Sequence, residues 1–323
     1  MNWKSFPKIE LHLHLEGAAD PAFIRTLAAE KSLDISRIFD KNGNYKFDGF
    51  SEFLTVYENA TQALQSPEDF KRLTQSVLEN LAENNVIYAE VFISPDFCGD
   101  RDLGAWREYL AAMREAHVEG VTLKGIVTCI RHFGPEKARE AALCAVETAG
   151  DWVVGFGMAG AENFGRARDF SYSFDMAREA GLRLTSHAGE WCGAASVWET
   201  LKELRVERIG HGVHSINDPK LVEHLAETGV ALEINPGSNV ALGVYPSWID
   251  HPMKRLRDAG VKVTVSTDDP PFFGTTMTRE FEELESAYGW GIEDFKLLNE
   301  TALEVAFCDL ATKDVIAKRL EAL

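Results

Sequence analysis

The sequence has little cysteine, and none of it is arranged as cysteine-based sites require. Its 323 residues include five cysteines, an odd number, and no two of them form a CxxC pair. This scatter argues against a disulfide framework and against a zinc site built from thiolates. We therefore expect a reducing compartment and predict a cytoplasmic protein.

The sequence also lacks long apolar runs and an excess of positive charge. Residues 1–7 contain no signal-peptide run, and no stretch approaches the roughly 18 apolar residues of a membrane span. The chain has 33 Lys and Arg residues against 51 Asp and Glu residues, a formal net charge of −18. Such a surface repels phosphate backbones and anionic membranes. We expect a small-molecule partner, no nucleic acid and no membrane, and the composition leaves the oligomeric state open.

The phosphate-binding motif GxxxxGK[ST] is absent, and GxGxxG occurs only at residues 155–160 (GFGMAG), at the end of the fourth predicted strand, whereas a doubly wound sheet usually carries its Gly-rich loop after the first strand. The sequence instead contains eight short β-rich runs, each followed by helical periodicity, which predicts βα units around a parallel sheet. No linker or repeat marks a domain boundary, and the length fits a TIM barrel. We therefore predict an α/β fold, a (β/α)8 TIM barrel forming one domain over residues 1–323. Its predicted strands are residues 9–13, 86–93, 121–130, 152–157, 183–186, 208–209, 230–234 and 261–266.

The segment between the first two predicted strands, residues 17–85, is unusually long. Within it, Phe50, Phe53, Leu54 and Tyr57 follow the spacing i, i+3, i+4, i+7 and would form one stripe on a helix. Packing alone would explain such a stripe. Because long βα loops on this fold usually build the active site, we predict an inserted helical lid here, with its aromatic residues between 39 and 57.

Potential metal ligands stand at the ends of several predicted strands. His12 and His14 end the first strand, and residues two apart on a strand project to the same side. His187 follows the fifth strand in the segment SHAGE, and Asp268 follows the eighth in the segment STDDP. The carboxyl ends of barrel strands share the face that carries the active site in this fold. We therefore predict that His12, His14, His187 and Asp268 bind one metal ion.

Each of these motifs has an ordinary explanation when it is taken alone. A His-x-His pair on a strand is often a packing or surface feature, and Asp-Asp-Pro is more often a turn than a ligand. Their joint placement at one barrel mouth favours a metal site over coincidence. The histidines without a comparable setting are predicted to be structural, and they are His117, His132, His214, His224 and His251.

Three imidazoles and one carboxylate without a thiolate suit Zn²⁺, although ligand type alone leaves Fe²⁺, Co²⁺ and Mn²⁺ open. A coordination position left for water would make the site catalytic, because such a metal lowers the pKa of its water to about 7. The residues therefore predict metal-assisted hydrolysis.

With these residues placed, the chain resembles the adenosine deaminase family along nearly its whole length. The matching motifs are residues 7–18 (PKIELHLHLEGA), 186–190 (SHAGE), 208–212 (RIGHG) and 266–270 (STDDP). The resemblance implies one Zn²⁺ per chain, bound by His12, His14, His187 and Asp268.

The resemblance also implies roles in the hydrolytic removal of a purine 6-amino group. Glu190 would protonate N1 while hydroxide attacks C6, and His211 would orient the water and stabilise the developing oxyanion. Asp269 would hold N7 and help to place the water. The expected substrate contacts are His14, Glu16, Gly160 and Asp269, with Gly160 matching a family glycine whose main chain approaches N3. The alternative for Glu190 is a carboxylate that merely stabilises a helix N-terminus.

The chain departs from the family pattern at two places. Met158 and Ala161 replace acidic residues that are usual in their stretch and leave only Glu162. Glu16 stands where typical adenosine deaminases have an aspartate that holds the ribose 5′-hydroxyl. The longer side chain would either reach the same hydroxyl or close a pocket sized for the free base.

Two substrates therefore compete. The HLHLEG start, residues 235–239 (NPGSN) and residues 269–274 (DPPFFG) are similar to adenine deaminases, whereas Ala159-Gly160 and Gly210-His211 look more like the nucleoside enzymes. We predict the hydrolysis of adenosine, and of 2′-deoxyadenosine, to the inosine nucleoside and ammonia. The alternatives are adenine, giving hypoxanthine, and a related 6-aminopurine nucleoside.

Two other classes are disfavoured. A deaminase of the cytidine type would show H-x-E with PCxxC, which is absent. A catalytically inactive binding barrel would not be expected to retain every proposed ligand together with Glu190.

Overall fold

Eight parallel strands form one sheet, in which they follow one another in chain order. The computed structural model describes residues 1–321, and helical segments connect the strands over the outside of the sheet. This architecture confirms the predicted (β/α)8 barrel. The strands are β1 (Lys8–His14), β2 (Val86–Ile93), β3 (Thr122–Ile130), β4 (Val153–Ala159), β5 (Arg183–Ala188), β6 (Arg208–His211), β7 (Ala231–Ile234) and β8 (Val263–Val265).

The helices begin where the sequence supplies capping residues. Asp20 accepts a hydrogen bond from the backbone N–H of Ala22, and Ser66 accepts one from Asp69; a proline follows each cap. The helices are α1 (Pro21–Glu30), α2 (Gly49–Thr61), α3 (Pro67–Glu83), α4 (Leu103–Glu115), α5 (Pro135–Thr148), α6 (Ser171–Glu179), α7 (Ala194–Leu204), α8 (Pro219–Thr228), α9 (Pro236–Ala241), α10 (Met253–Asp258), α11 (Pro270–Phe273), α12 (Met277–Tyr288), α13 (Ile292–Val305) and α14 (Leu310–Glu321).

The barrel closes between β1 and the residues that follow β8. Leu13 and Asp268 form a parallel bridge, with the N–H of His14 donating to the carbonyl of Asp268 (3.0 Å) and the N–H of Asp268 donating to that of His12 (3.1 Å). The Ser266 hydroxyl accepts from the N–H groups of Leu11 and His12, each at 3.1 Å. The seam thus runs through residues that were predicted to bind a metal.

The strand boundaries differ from the predicted ones mainly at the carboxyl ends. β2 agrees at both ends, but β1, β4, β5 and β6 extend one or two residues further. Backbone pairing continues there whatever the side chains are, as the register pair Ala188 and His211 shows. β8 begins two residues later than predicted, because the N–H of Val261 bonds to Leu256 of α10.

The core consists of apolar strand residues covered by amphipathic helices. Every residue of β2 is buried, as expected for a strand with both faces covered. On α3, Phe70, Leu73, Val77 and Leu81 are buried at three- and four-residue steps, which places one apolar face against the barrel. Within residues 1–321, no helix combines the length and apolar character of a membrane span.

The long segment after β1 forms α1, α2 and α3. Its aromatic stripe lies on α2 as predicted, and Phe50, Phe53, Leu54 and Tyr57 line a pocket together with residues from the strand ends. Helix α2 therefore covers the barrel mouth.

Candidate active site

The four predicted metal ligands converge at the carboxyl end of the barrel. His187 Nε2 lies 3.1 Å from His12 Nε2 and 3.2 Å from His14 Nε2. Asp268 Oδ1 lies 3.3 Å and 3.2 Å from the same two nitrogens. All four donor atoms fall within 4.8 Å of one another, so the structure brings together residues that are up to 256 positions apart, from His12 to Asp268.

These distances fit a small divalent cation. Bonds of about 2.0–2.1 Å to nitrogen or oxygen in a tetrahedron place neighbouring ligand atoms about 3.3 Å apart. Burial lowers the pKa of His187 well below its usual value, which keeps its imidazole in the neutral form that binds metals. The donor set and its spacing therefore suit a metal such as Zn²⁺.

The ligands are oriented by partners that the sequence analysis did not identify. His12 Nδ1 pairs with Glu233 Oε2 at 2.8 Å, and His187 Nδ1 donates to the carbonyl of Met158 at 3.0 Å. The hydroxyl of Ser238 donates to Asp268 Oδ2 at 2.7 Å. Such outer contacts fix the ring orientation and strengthen metal binding. The available signal for Glu233 was a carboxylate inside the otherwise apolar strand β7.

Glu233 is itself held by a buried ion pair beneath the metal ligands. Arg208 Nε donates to Glu233 Oε1 at 2.5 Å, and Arg208 Nη2 lies 2.7 Å from Glu90 Oε2. All three side chains are fully buried, and the Arg208 guanidinium lies 3.5 Å from the ring centroid of Phe307. A series of paired side chains therefore leads from Glu90 through Arg208 and Glu233 to His12.

Glu190 lies in the loop between β5, which ends at Ala188, and α7, which begins at Ala194. The helix therefore starts four residues after Glu190. Glu190 does not occupy the first turn of a helix, and the helix-terminus alternative is wrong. Its carboxylate Oε1 is 3.8 Å from His211 Nδ1. Burial, together with the negative charges of Asp268 and Glu162, raises the pKa of Glu190 well above its usual value. The carboxyl group is thus suited to donate a proton.

Glu162 holds the loop that carries Glu190. Its two carboxylate oxygens accept hydrogen bonds from the backbone N–H groups of residues 189–192 and from the hydroxyl of Ser196. The sequence analysis left the role of this acidic residue open, because its neighbours depart from the family pattern. In the structure Glu162 fixes the backbone on which Glu190 is mounted.

His211 ends β6 with a left-handed backbone conformation, φ +61°, and Asp268 has φ +67°. Such values are costly for residues other than glycine and concentrate at functional sites. Burial lowers the pKa of His211 to about 3, so the ring is neutral. Its Nε2 faces Asp268 Oδ2 at 3.8 Å.

Asp269 follows Asp268 and has a buried oxygen, Oδ1, without a hydrogen-bond partner among the described residues. Burial and the charges of Asp268 and Glu190 raise the pKa of Asp269 well above its usual value. Gly17 makes room for this side chain, because a Cβ at Gly17 would lie 1.6 Å from Asp269 Oδ1. A buried polar atom without a partner is a natural contact for a polar ligand.

A small pocket joins these groups under α2. It has a volume of about 60 Å³. The lining residues are His14, Phe50, Phe53, Leu54, Tyr57, Glu58, Phe97, Ile130, His132, Ala159, Gly160, His187, Glu190, His211, Leu242, Asp268 and Asp269. Gly160 therefore contributes to the wall as predicted, and its φ of +93° requires glycine.

Of the four predicted substrate contacts, Glu16 is the one that does not line the pocket. It is buried, its Oε1 accepts from the N–H of Ser94 at 3.2 Å, and its Oε2 is 3.5 Å from the Tyr57 hydroxyl. Tyr57, which does line the pocket, contacts this carboxylate through its hydroxyl. Glu16 is thus occupied by protein partners.

The prediction that five histidines are merely structural is wrong for His132. His132 lines the pocket, its Nδ1 accepts from the N–H of Ala161 at 3.1 Å, and its Nε2 is 3.2 Å from Glu58 Oε1 on α2. His214 Nδ1 contacts the carbonyl of Gly189 at 3.2 Å and so braces the loop of Glu190. His251 is buried behind the site and is discussed below.

Sites of this kind on a TIM barrel belong to hydrolases of the amidohydrolase type. The family model described as Adenosine deaminase matches residues 7–323, and the chain belongs to the adenosine deaminase family. The resemblance inferred from the motifs is thereby confirmed.

Curated relatives are similar to the chain over nearly its full length. A protein of Rhizobium rhizogenes named adenine deaminase is 45% identical over 97% of this chain and 98% of its own length. One of Agrobacterium fabrum with the same name is 46% identical over 97% of each chain. The chain is therefore similar in sequence to proteins named for the free base rather than for the nucleoside.

Solved structures show the same likeness. The crystal structure of an adenine deaminase from Arthrobacter aurescens is 29% identical, with a TM-score of 0.89 over 98% of this chain and 99% of that one. A Burkholderia ambifaria amidohydrolase crystallised with bound Zn is 26% identical, with a TM-score of 0.86 over 99% and 94%. Both chains are covered almost completely.

Proposed function

We propose that this protein hydrolyses adenine to hypoxanthine and ammonia, with one Zn²⁺ bound by His12, His14, His187 and Asp268. Membership of the deaminase family and the names of the relatives support the deamination of a purine. The bound Zn of the Burkholderia amidohydrolase supports the choice of metal, as does the set of imidazole and carboxylate ligands.

The observation that carries the choice of the free base is the pairing of Glu16 with Tyr57. The carboxylate that would hold a ribose hydroxyl is buried, accepts from the N–H of Ser94, contacts the Tyr57 hydroxyl and does not line the pocket. The pocket beside the metal ligands is small, about 60 Å³, and apolar residues of α2 bound it. A planar base suits this space better than a nucleoside.

The reaction exchanges the amino group at C6 for oxygen. Water adds to C6, N1 is protonated, and the tetrahedral intermediate expels the 6-amino group as ammonia, so that hypoxanthine carries the new oxygen. The metal, when bound, supplies Lewis acidity that makes water nucleophilic at neutral pH.

The residues of this chain would bind the base and move its protons. Glu190, protonated because it is buried, donates its proton to N1. The imidazole of His211 donates a hydrogen bond to the oxygen that adds at C6. The carboxyl group of Asp269, whose pKa is raised by burial and neighbouring negative charges, donates from its unpartnered oxygen to N7 of the purine, and the Gly160 backbone lies against the ring, while aromatic residues of α2 exclude water.

Adenosine, the substrate favoured by the sequence motifs, is the less well supported candidate. The motifs that favour it contribute Ala159, Gly160 and His211 to the lining of the pocket. The relatives at 45% and 46% identity are named for adenine instead.

Domain organisation and compartment stay proposals. We propose one domain over residues 1–323, because the strands of the barrel and the helices around them span the described chain. All five cysteines are free thiols, which fits the cytoplasmic location expected from their scatter.

A side-by-side assay tests the substrate. We expect ultraviolet absorbance to show much faster turnover of adenine than of adenosine, 2′-deoxyadenosine or another aminopurine nucleoside, with about one Zn²⁺ per chain by elemental analysis and loss of activity with a chelator. Faster turnover of adenosine than of adenine would contradict the proposal.

The role of Glu16 has its own test. Glu16→Asp withdraws the carboxylate from Tyr57 by one methylene, so adenine turnover should fall while the adenosine-to-adenine ratio rises. Glu52→Asp makes the same change on the exposed face of α2 and should leave the ratio unchanged. An unaltered ratio in Glu16→Asp would mean that this pair does not select the base.

A further inference from the structure

We propose that His251, through Asn239, holds His211 in the tautomer that carries its proton on Nε2. His251 lies in the segment between α9 and α10 and is buried, but it does not line the pocket. It is therefore a positioning residue, separated from the reacting atoms by two side chains. The inference rests on the proposed function, because it assigns the direction of a hydrogen bond within that site.

The direction of the chain of hydrogen bonds is set at its outer end by a backbone group. The N–H of Met253, at the start of α10, donates to His251 Nδ1 at 3.2 Å. A backbone amide can only donate, so Nδ1 of this ring must be the acceptor. A neutral imidazole with an acceptor at Nδ1 carries its proton on Nε2.

Asn239 connects His251 to His211, and the hydrogen bond from His251 determines which way its amide group is oriented. His251 Nε2 lies 3.1 Å from Asn239 Oδ1, and the donor from His251 orients the amide with its oxygen outward. The Nδ2 group of Asn239 is then directed at His211 Nδ1, at 3.3 Å. Asn239 is itself fixed on α9, where its carbonyl accepts from the N–H groups of Val244 and Tyr245.

A second amide points at the same nitrogen. Asn235 Nδ2 lies 3.4 Å from His211 Nδ1, so a second amide can donate to the atom that Asn239 addresses. That atom must be an acceptor, and the single proton of the neutral ring is placed on Nε2, which faces Asp268 and the pocket. His211 is thereby prepared as a donor to oxygen at C6 rather than as a base that removes a proton from it.

The hydrogen bonds of Asn239 depend on where α9 lies, and contacts of the NPGSN segment (residues 235–239) fix that position. Gly237 approaches Glu280 so closely that a Cβ there would lie 2.1 Å from Glu280 Oε1. The N–H of Gly237 donates to Glu280 Oε2 at 3.1 Å. Ser238, the next residue, bonds to Asp268, so one short helix directs both a metal ligand and His211.

Nuclear magnetic resonance tests the tautomers without any substrate. In the Zn²⁺-loaded protein labelled with ¹⁵N-histidine, long-range ¹H–¹⁵N spectra distinguish a protonated ring nitrogen from an unprotonated one. We expect both His211 and His251 to be neutral and protonated on Nε2, with assignments taken from His211→Ala and His251→Gln. A proton on Nδ1 of either ring in the unaltered protein would overturn the proposal, whichever purine the enzyme uses.

Substitutions of His251 test the consequence for catalysis. His251→Phe removes both hydrogen bonds and frees the Asn239 amide to rotate. Loss of a fixed donor to a developing oxyanion costs about 10²–10³ in kcat. Because Asn235 still contacts His211, we expect a smaller fall in kcat of roughly tenfold, with KM and metal content little changed and a second His211 tautomer in the spectrum.

The conservative variant separates positioning from packing. Glutamine offers one acceptor and one donor, so His251→Gln should restore kcat and the Nε2-protonated form of His211. His224→Phe, on α8 and outside the pocket, is the matched control and should behave as the unaltered protein does. If His251→Phe binds metal and keeps both kcat and the His211 tautomer, or if His251→Gln is as impaired as His251→Phe, the proposal is wrong. Inactivity of all variants and of the unaltered protein towards adenine would instead contradict the proposed function alone.

Discussion

Two regions enclose the same pocket and differ in almost every physical respect. The metal floor, which consists of His12, His14, His187 and Asp268, is polar, lies at strand ends and is connected to buried partners beneath it. The aromatic roof, which consists of Phe50, Phe53, Leu54 and Tyr57, is apolar and lies on α2. The floor is built from β1, β5 and the residues after β8, whereas the roof comes from one inserted segment.

The difference separates the chemistry from the choice of substrate. In the proposed reaction, the floor would set the ligand geometry and the proton positions that the attack on C6 requires. The roof contributes shape, exclusion of water and, through Tyr57 and Glu16, a boundary to the pocket. Changes in the floor should therefore act on metal content and kcat, and changes in the roof on KM and selectivity.

The largest effect is expected from removing a floor ligand. His12→Ala should abolish metal binding and reduce activity below detection, because one donor is lost and Glu233 keeps no partner among the metal ligands. Elemental analysis of the purified variant checks this. A variant that retains about one metal per chain would show that His12 is not a ligand.

Glu190→Gln should keep the metal and lose most turnover. The amide cannot deliver a proton to N1, and general acid catalysis contributes about 10²–10⁴-fold. Steady-state kinetics beside a metal assay separate this variant from His12→Ala. Near-normal kcat in Glu190→Gln would remove Glu190 from the mechanism.

Gly17→Ala should reduce kcat by roughly 10²-fold with the metal retained, because a displaced polar group at the reacting centre costs about that much. The added Cβ would lie 1.6 Å from Asp269 Oδ1, so the aspartate must move. Gly150→Ala is the control, since a Cβ at Gly150 would meet no atom within 4 Å and its φ is not positive. Unchanged kcat in Gly17→Ala would mean that the position of Asp269 is unimportant.

The pH profile should carry the signature of Glu190. Its pKa is raised by burial and neighbouring negative charges, so the protonated acid predominates below that pKa. Activity is then present on the low side and falls as the pH rises through the raised value, about tenfold per unit beyond it. In Glu190→Gln this alkaline fall should disappear from the residual activity; its persistence would assign the limb to another group.

The smallest effect is expected in the roof. Phe53→Ala should raise KM for adenine by roughly tenfold, since apolar contacts of this size are worth about 1–3 kcal/mol, without changing bound metal. Phe174→Ala, an equally buried change on α6 outside the pocket, controls for lost stability. Equal KM values in the two variants would mean that the stripe on α2 packs against the core and does not bind substrate.

The barrel could be predicted from the sequence because each βα unit shows its own strand pattern and its own helix periodicity. Strand β2 reads as an apolar run, α3 as a three- and four-residue periodicity, and both appear where expected. The four metal ligands followed from the barrel, because strand ends share one face. The ends of the strands were less accurate, since backbone pairing continued through polar residues such as His211.

The partners of the ligands were beyond such reasoning. Glu233, Ser238 and Glu162 act through contacts with residues far away in the chain, which no local spacing encodes. His251 gave no signal at all, because its setting depends on an amide of α9 and a backbone group of α10. The sequence motifs favoured the nucleoside, whereas the names of the relatives support the free base, and the contact between Glu16 and Tyr57 that bears on this choice is not encoded by local spacing.

The seam of the barrel gives the metal a second task. His12 and His14 belong to the first strand and Asp268 follows the last, and the two ends of the sheet are joined there by a few backbone bonds and the Ser266 hydroxyl. A cation held between them ties the beginning of the fold to its end, and its binding energy adds to the free energy of unfolding. Removing the ion would therefore weaken the barrel at this seam. The metal proposed to activate water would also stabilise the closure of the barrel.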